Sequence, residues 1–304
     1  MQVVFRKMLG LYFVGLLAVS GFAQSGSVNS ELAYTNEIHN GASQRIVGGW
    51  EAADGQFPST VSLRTVGPAG GVGACTGSIL TNEWILTAAH CVARRVTLVV
   101  YMGQTNITRP GYMLETSQLF WHPKYDEAIT YVQTDDIGLL KLDRPIPYGP
   151  YIQPIRIQSS QRRDIEYGGE RLTISGYGRT DDWWLGGIVP DIMYWVYQRG
   201  ITLEECWRWY PYSQVLDSQT LCTQYYNHTS QNPCTGDSGG PLTTVDVDGK
   251  ETQVGIMSFG AARGCNSLNA QGFVRPEFYH DWLEEMIGIS FDWDPKELEA
   301  GYLN

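Results

Sequence analysis

The sequence is poor in basic residues. Its 304 residues include 21 lysines and arginines against 32 aspartates and glutamates, which gives a formal net charge of −11 at pH 7. A nucleic-acid-binding protein normally carries a basic face, so this class of partner is excluded. Charged residues make up only 17% of the chain and aromatic residues reach 12%, so the chain as a whole is not disordered.

Long apolar runs are also missing. The most apolar segment, 8–19, follows Arg6 and Lys7 and is shorter than the roughly 20 residues that a transmembrane helix needs. Small residues follow at 21–23, where a signal peptidase would cut. We therefore predict a signal peptide at 1–23, secretion to the extracellular space and no membrane partner.

No Cys-x-x-Cys pair occurs, which argues against a zinc site. A secreted protein matures in an oxidising compartment, so the six cysteines predict three disulfide bonds. Six cysteines allow roughly fifteen sets of pairs, and their spacing alone does not choose among them.

The alternation of strands and helices that marks a parallel α/β sheet is absent. Short runs rich in β-branched and aromatic residues predict strands at 60–66, 96–102, 171–176 and 253–259. One stretch after Pro276 has helical spacing and places five apolar side chains on one face: Phe278, Trp282, Leu283, Met286 and Ile287. We predict an all-β protein that ends in an α-helix.

A polar stretch without periodicity covers 24–45 and ends abruptly at the sequence Arg45-Ile46-Val47-Gly48-Gly49. A basic residue at such a boundary in a secreted chain is a candidate site of proteolytic processing.

Three short motifs could carry chemistry: Thr87 to Cys91 around His90, Asp135 to Leu140, and Gly236 to Pro241 around Ser238. The third is the most specific. Glycines on both sides of a serine let the backbone approach a substrate closely and free N–H groups for a developing oxyanion.

The serine motif also fits G-x-S-x-G, the nucleophile turn of α/β-hydrolases. That fold would use Ser238, then Asp246 or Asp248, then His280, with a helix directly after the serine. The residues after Pro241 favour a strand up to Gly249. A secreted esterase is therefore the weaker interpretation.

Taken together, the motifs resemble the chymotrypsin/trypsin family of serine proteases from Ile46 to about Gly288. The particular residues of these motifs, together with Ser258-Phe259-Gly260, are similar to those of chymotrypsin-like proteases of insects. The resemblance implies the trypsin-like fold, two antiparallel six-stranded β-barrels at 46–156 and 157–288, the second ending in the helix. It also implies an activation peptide at 24–45. The acidic tail at 289–304 extends past the expected end, and we expect it to fray.

The resemblance further implies a catalytic triad. Ser238 would be the nucleophile, His90 the general base, and Asp136 the group that orients the imidazole. The backbone N–H groups of Gly236 and Ser238 would form the oxyanion hole. Asp135 is the natural competitor for the aspartate role, and the family pattern favours Asp136 because it immediately precedes the Ile-x-Leu-Leu strand.

Activation and cross-links follow from the same resemblance. Cleavage after Arg45 would create an α-amino group on Ile46 that pairs with Asp237, since a buried carboxylate is costly unless it is paired. The implied disulfides are Cys75–Cys91, Cys206–Cys222 and Cys234–Cys265.

The implied specificity pocket departs from that of trypsin. Its floor is Asn232, followed by Pro233, where trypsin-like enzymes have an aspartate, and its walls are Gly260 and Gly272. We expect cleavage after Phe, Tyr, Leu or Met, although Arg263 near the mouth could favour an acidic or polar residue instead. An uncharged pocket cuts poorly after Arg45, so we predict that a separate trypsin-like protease activates the chain.

The expected partners are protein or peptide substrates, that activating protease and protein protease inhibitors, with the chain a monomer. The segment 104–115 lacks the acids of a calcium loop, so we predict no metal and no cofactor. Without its leader the chain would carry 18 basic against 30 acidic residues, and most of the basic ones are arginine, which suits an alkaline gut lumen. A digestive role is expected, and a catalytically silent homologue is the alternative.

Overall fold

The computed structural model describes residues 48–227, 231–246, 248–260 and 264–296, without the side chain of Trp183. The predicted signal peptide, the leader and the bond after Arg45 lie outside these residues. Within these ranges, no helix is both long and apolar enough to cross a bilayer.

Fifteen strands and three α-helices occur in this part of the chain. The first eight strands are β1 (Trp50–Glu51), β2 (Thr60–Val66), β3 (Val72–Ile79), β4 (Trp84–Thr87), β5 (Thr97–Met102), β6 (Tyr112–Thr116), β7 (Gln118–Trp121) and β8 (Gly138–Lys141). The others are β9 (Arg156–Ile157), β10 (Arg171–Gly176), β11 (Tyr194–Ile201), β12 (Thr220–Tyr225), β13 (Pro241–Val245), β14 (Glu251–Phe259) and β15 (Gln271–Val274). The helices are α1 (Ala89–Val92), α2 (Leu203–Trp209) and α3 (His280–Ile287).

The first sheet has the order β6-β5-β2-β3-β4-β8-β7, with antiparallel neighbours. Only Ser117 separates β6 from β7, so the two form one bent strand that closes the sheet into a barrel of six. In β5 every second side chain points inward, and Leu98, Val100 and Met102 are buried as the alternation of a strand requires.

The second sheet has the order β1-β11-β10-β13-β14-β15-β12, and β12 pairs back with β11. Six of its strands close a second barrel, to which the two-residue strands β1 and β9 add short edges. The prediction of two antiparallel six-stranded barrels with a terminal helix is confirmed.

The predicted elements agree closely with the observed ones. The strands expected at 60–66 and 171–176 are β2 and β10. The strand expected at 96–102 begins one residue before β5, and the one expected at 253–259 begins two residues after the start of β14. Helix α3 begins at His280, after a 3₁₀ turn at Pro276–Phe278, and ends at Ile287. Gly288 caps it with a positive φ of 83°, which suits glycine. Its apolar face packs on the core of the first barrel through Trp282 and Leu283.

Buried hydrogen bonds join the barrels. The amide of Thr76 donates to the carbonyl of Ser238 at 2.8 Å, and its hydroxyl donates to the carbonyl of Gly236 at 2.9 Å. Hydroxyl contacts Thr60–Ser175 and Ser78–Gln253 add two more, at 2.8 and 2.7 Å. The serine loop of the second barrel is therefore held directly against the first.

Strand β1, at the start of the described chain, pairs with β11 of the second barrel. The Trp50 ring also packs on Trp195 and Tyr197, at centroid distances of 4.9 and 5.8 Å.

The expectation of a frayed tail is wrong for 289–296. The indole of Trp293 donates to the carbonyl of Ile157 at 2.9 Å and lies 4.2 Å under the Arg156 guanidinium. Asp292 accepts hydrogen bonds from the amide and the hydroxyl of Ser160. Residues 289–296 are held in place because the Arg156 guanidinium stacks on Trp293 and two groups of Ser160 donate to Asp292.

Candidate active site

His90 and Asp136 form an oriented pair at the end of the first barrel. His90 lies in α1, just after β4, and Asp136 lies two residues before β8, which pairs with β4. The imidazole Nδ1 lies 2.8 Å from Asp136 Oδ2, and the backbone N–H of His90 donates to Asp136 Oδ1 at 2.9 Å. Two contacts to the two carboxylate oxygens fix the carboxylate plane and hold the ring.

Ser258 provides a third contact to the same carboxylate. Its hydroxyl donates to Asp136 Oδ2 at 2.6 Å, the oxygen that also faces the imidazole. Ser258 belongs to β14 of the second barrel, so this contact also crosses between barrels. Apart from the tripeptide Ser258-Phe259-Gly260, no sequence pattern indicated this role of Ser258.

Burial and pairing act in opposite directions on the two pKa values. Burial alone would lower the pKa of His90, but the adjacent Asp136 charge and hydrogen bond raise it, and the net pKa lies above 6.5. Burial alone would raise the pKa of Asp136, but His90 and Ser258 stabilise the carboxylate, and its net pKa lies below 3.8. Asp136 is therefore ionised at neutral pH.

Asp135 takes a different partner. It adopts a left-handed backbone with φ of 57°, which turns its side chain toward His122, 3.5 Å away, and Tyr279. Of the two neighbouring aspartates, only Asp136 contacts His90 among the described residues.

Ser238 lies in a tight loop beside α1. Its carbonyl accepts from Thr76 and lies 3.5 Å from Cys91 Sγ, one residue after His90. A β-carbon at Gly239 would collide with the Thr87 hydroxyl and the Ala88 amide, and the φ of Gly239 is 79°. Glycine is therefore required for the serine loop to approach the histidine helix.

The same loop presents two backbone donors. Among the described residues, neither the N–H of Gly236 nor that of Ser238 donates to another group. Gly236 has a φ of 109°, a conformation that glycine adopts without strain. Adjacent unpaired N–H groups are the arrangement that an oxyanion hole requires.

Asp237 is fully buried under this loop. Its carboxylate accepts from the amides of Gly178 and Cys234, each at 2.8 Å. Burial nevertheless raises the pKa of Asp237 to about 6, against the effect of both hydrogen bonds. Arg45 and Ile46 lie outside the described residues, so their pairing with Asp237 stays a prediction.

A cavity of about 160 Å³ opens next to Ser238. No charged side chain of the described residues lines it. Its walls are Pro233, Cys234, Thr235, Met257, Ser258, Phe259, Gly260, Gly264, Cys265 and Gln271.

Two of the predicted pocket residues lie behind this lining. The buried amide of Asn232 donates to the carbonyls of Cys265 and Ser267 at 3.2 and 2.6 Å, and its Oδ1 has no partner among the described residues. Gly272 is covered by the ring of Phe259, which would collide with a β-carbon there. Arg263 lies outside the described residues.

Gln271 is a pocket residue that the sequence interpretation missed. It is buried, and its carboxamide oxygen occupies the space beside Gly260 that a side chain would fill. The cavity therefore combines apolar walls with neutral polar side chains, those of Thr235, Ser258 and Gln271.

The residues of the esterase alternative are dispersed. Asp246 and Asp248 form ion pairs with Arg162 and Arg156, at 3.3 and 2.7 Å. His280 Nε2 lies 2.8 Å from the carbonyl of Gln158. The hydrogen bonds and ion pairs of the described chain connect none of them to Ser238.

The three disulfides are Cys75–Cys91, Cys206–Cys222 and Cys234–Cys265, the pairs that the resemblance implies. The first holds α1 against β3, and the third joins two walls of the cavity. Disulfides of this kind are consistent with an extracellular location.

Comparison with known proteins identifies the family. The family model described as Trypsin matches residues 46–283. The chain belongs to the trypsin family of serine proteases. The chain is a serine endopeptidase that acts on protein substrates.

Among the trypsin-family relatives is a collagenase of Hypoderma lineatum, 30% identical over 94% of this chain and all of its own length. Trypsin 5G1 of Aedes aegypti is 30% identical over 82% of this chain and 87% of its own. The solved structure of HL collagenase superposes with a TM-score of 0.70 and 30% identity, covering 80% of this chain and 99% of that chain.

Proposed function

We propose that this trypsin-family enzyme is a secreted zymogen that cleaves after large uncharged residues through His90, Asp136 and Ser238. The observation that carries the proposal is the contact of the Asp136 carboxylate with the His90 imidazole, in the helix beside the serine loop. The same carboxylate accepts a hydrogen bond from the Ser258 hydroxyl. The chain would act as a monomer, be activated by a separate trypsin-like protease and be blocked by protein protease inhibitors.

The chemistry starts at the Ser238 hydroxyl, which is a weak nucleophile at neutral pH. His90 takes its proton as Ser238 attacks the scissile carbonyl, and Asp136 stabilises the imidazolium that forms. The N–H groups of Gly236 and Ser238 stabilise the oxyanion, each by about 3 kcal/mol. His90 then protonates the leaving amine, and water releases the acyl group by the reverse sequence.

Activation would supply a cation to Asp237. The uncut chain buries this carboxylate with two backbone donors and a pKa near 6. An ammonium group on Ile46, created by cleavage after Arg45, would pair with it and stabilise the loop that carries the oxyanion donors.

The cavity supports an uncharged preference. Met257, Phe259 and Pro233 give apolar walls, and the neutral Asn232 lies behind the lining, so no group of the described pocket would pair with a basic residue. We favour Phe, Tyr, Leu or Met before the scissile bond. The arginine-rich basic set of the mature chain supports a digestive role at alkaline pH.

The test uses zymogen cut by trypsin, with the trypsin then removed. Matched peptides carry Phe, Leu, Arg or Glu before the scissile bond, and Ser238→Ala is the control. Cleavage after Phe or Leu that vanishes in the control supports the proposal. Cleavage after Arg or Glu overturns the pocket assignment, and no cleavage despite a new Ile46 terminus favours a catalytically silent homologue.

A further inference from the structure

Asp182 connects a surface loop to the wall of the cavity. It lies between β10 and β11 and is only 5% exposed. Its Oδ1 accepts from the backbone N–H of Cys265 at 2.7 Å, and its Oδ2 accepts from the N–H of Asn266 at 3.2 Å. Two successive amides of the wall therefore converge on one buried carboxylate.

Gly264 makes this approach possible. A β-carbon there would collide with the Asp182 carboxylate, and the φ of Gly264 is 106°, which side chains disfavour. Gly264 and Cys265 both line the cavity, so the segment that Asp182 holds is the cavity wall itself.

The loop is also anchored on its own side. The Asp182 carbonyl accepts from Leu185 and Gly187 at 2.9 and 3.0 Å, which closes a compact turn. The backbone N–H of Arg179 donates to the carbonyl of Thr235, a second lining residue, at 2.8 Å. The turn thus contacts the cavity lining at two separate points, and it can act as a rigid support.

We propose that Asp182 is a positioning residue that sets the preference for large residues before the scissile bond, by fixing the wall at 264–266. This inference rests on the proposed function, because it assumes that the cavity receives that residue. Hydrogen bonds to an ionised acceptor are among the stronger ones, and dispersion contacts weaken quickly when a wall moves away. Loss of the carboxylate should therefore harm a large side chain more than a small one.

The experiment compares activated wild type, Asp182→Ala and Asp182→Asn on two peptides that differ only in Phe or Ala before the scissile bond. For Asp182→Ala we expect the ratio of kcat/KM for Phe over Ala to fall about tenfold, mostly through KM, since hydrogen bonds to a charged group are lost. A small organophosphate fluoride, which does not need the pocket, should phosphorylate Ser238 with release of fluoride at an unchanged rate.

Asp292→Ala is the matched control, because it also removes a carboxylate that accepts a hydrogen bond from a backbone N–H. That N–H belongs to Ser160, which does not line the cavity. Its Phe/Ala ratio should equal that of wild type. Asp182→Asn covers the case in which the alanine variant does not fold, and a thermal melt checks both. One acceptor oxygen remains in the amide, so we expect an intermediate ratio.

The outcomes separate the two claims. If wild type cleaves neither peptide, the proposed function fails. If wild type prefers Phe and a folded Asp182 variant keeps the full preference, the role of Asp182 is overturned while the protease stands. An equal loss on both peptides and on the organophosphate also overturns it, because Asp182 would then support the reacting groups and not the wall.

Discussion

The Ser258 hydroxyl donates to the same Asp136 oxygen that faces His90 Nδ1, at 2.6 and 2.8 Å. One carboxylate oxygen is thus shared between a residue of the second barrel and a residue of the first. Orientation of the imidazole depends on both contacts, since Asp136 is buried and has little freedom to find other donors.

Replacing Ser258 by Ala should lower kcat/KM about tenfold, because one hydrogen bond to a charged group is lost. Steady-state kinetics on a Phe peptide measure this. Ser258→Thr keeps the hydroxyl and should recover part of the rate. A fully active alanine variant would show that His90 alone orients Asp136.

Activity should fall as the pH drops through the pKa of His90. Because that pKa is raised above 6.5, the acidic half-point of kcat/KM should lie above 6.5, since only the neutral imidazole accepts the serine proton.

Asp136→Asn should reduce kcat about 10⁴-fold, the size of this effect in the Ser-His-Asp template. It should also move the half-point to lower pH, because the charge that raises the pKa of His90 is removed. Asp135→Asn, the neighbouring control, should leave both nearly unchanged. The reverse ranking of the two variants would mean that Asp135 orients the base.

Asp237 should contribute more to the stability of the uncut chain as the pH falls from about 7 toward 4. Asp237 has a folded pKa of about 6 against an ordinary value of 3.8, so the folded state binds the proton more tightly within this window. Chemical denaturation of wild type and Asp237→Asn at several pH values isolates this contribution, because other buried acids such as Glu277 are common to both.

Cleavage after Arg45 should reverse the sign of this dependence, since an Ile46 ammonium would favour the charged carboxylate. After cleavage, the free energy of unfolding of wild type minus that of Asp237→Asn would increase with rising pH. An identical pH dependence before and after cleavage contradicts the pairing of Ile46 with Asp237.

Trp293→Ala should lower the free energy of unfolding by about 2 kcal/mol, because the Arg156 contact and one hydrogen bond are lost. A thermal melt should show this as a decrease in Tm of roughly 4–8 °C. Trp293→Phe keeps the ring face but not the N–H and should lie between. No change would mean that the tail is held by Asp292 alone.

Sequence motifs were sufficient to propose the triad because each motif is local: His90, Asp136 and Ser238 lie in short segments with recognisable neighbours. They also favoured Asp136 over Asp135, and the left-handed φ of Asp135 supplies the physical reason. Strand composition predicted an all-β protein, and the two barrels were implied by the resemblance.

Residues that act through distant contacts escaped detection. Ser258 donates a hydrogen bond to the carboxylate of Asp136, 122 positions away in the sequence. Asp182 accepts one from the backbone N–H of Cys265, 83 positions away. The anchoring of Trp293 depends on Arg156, which no periodicity connects to it. Such partners are set by tertiary packing, and a single sequence carries no record of them.

Each of the three disulfides joins two cysteines of the same barrel, and none links one barrel to the other. Only the chain between β8 and β9 therefore connects the two barrels, here called the two halves, covalently. His90 and Asp136 lie in one half and Ser238 in the other. Hydrolytic activity is therefore a direct reporter of association between the halves, and a fragment pair cut between 142 and 155 would show catalysis only upon reassembly.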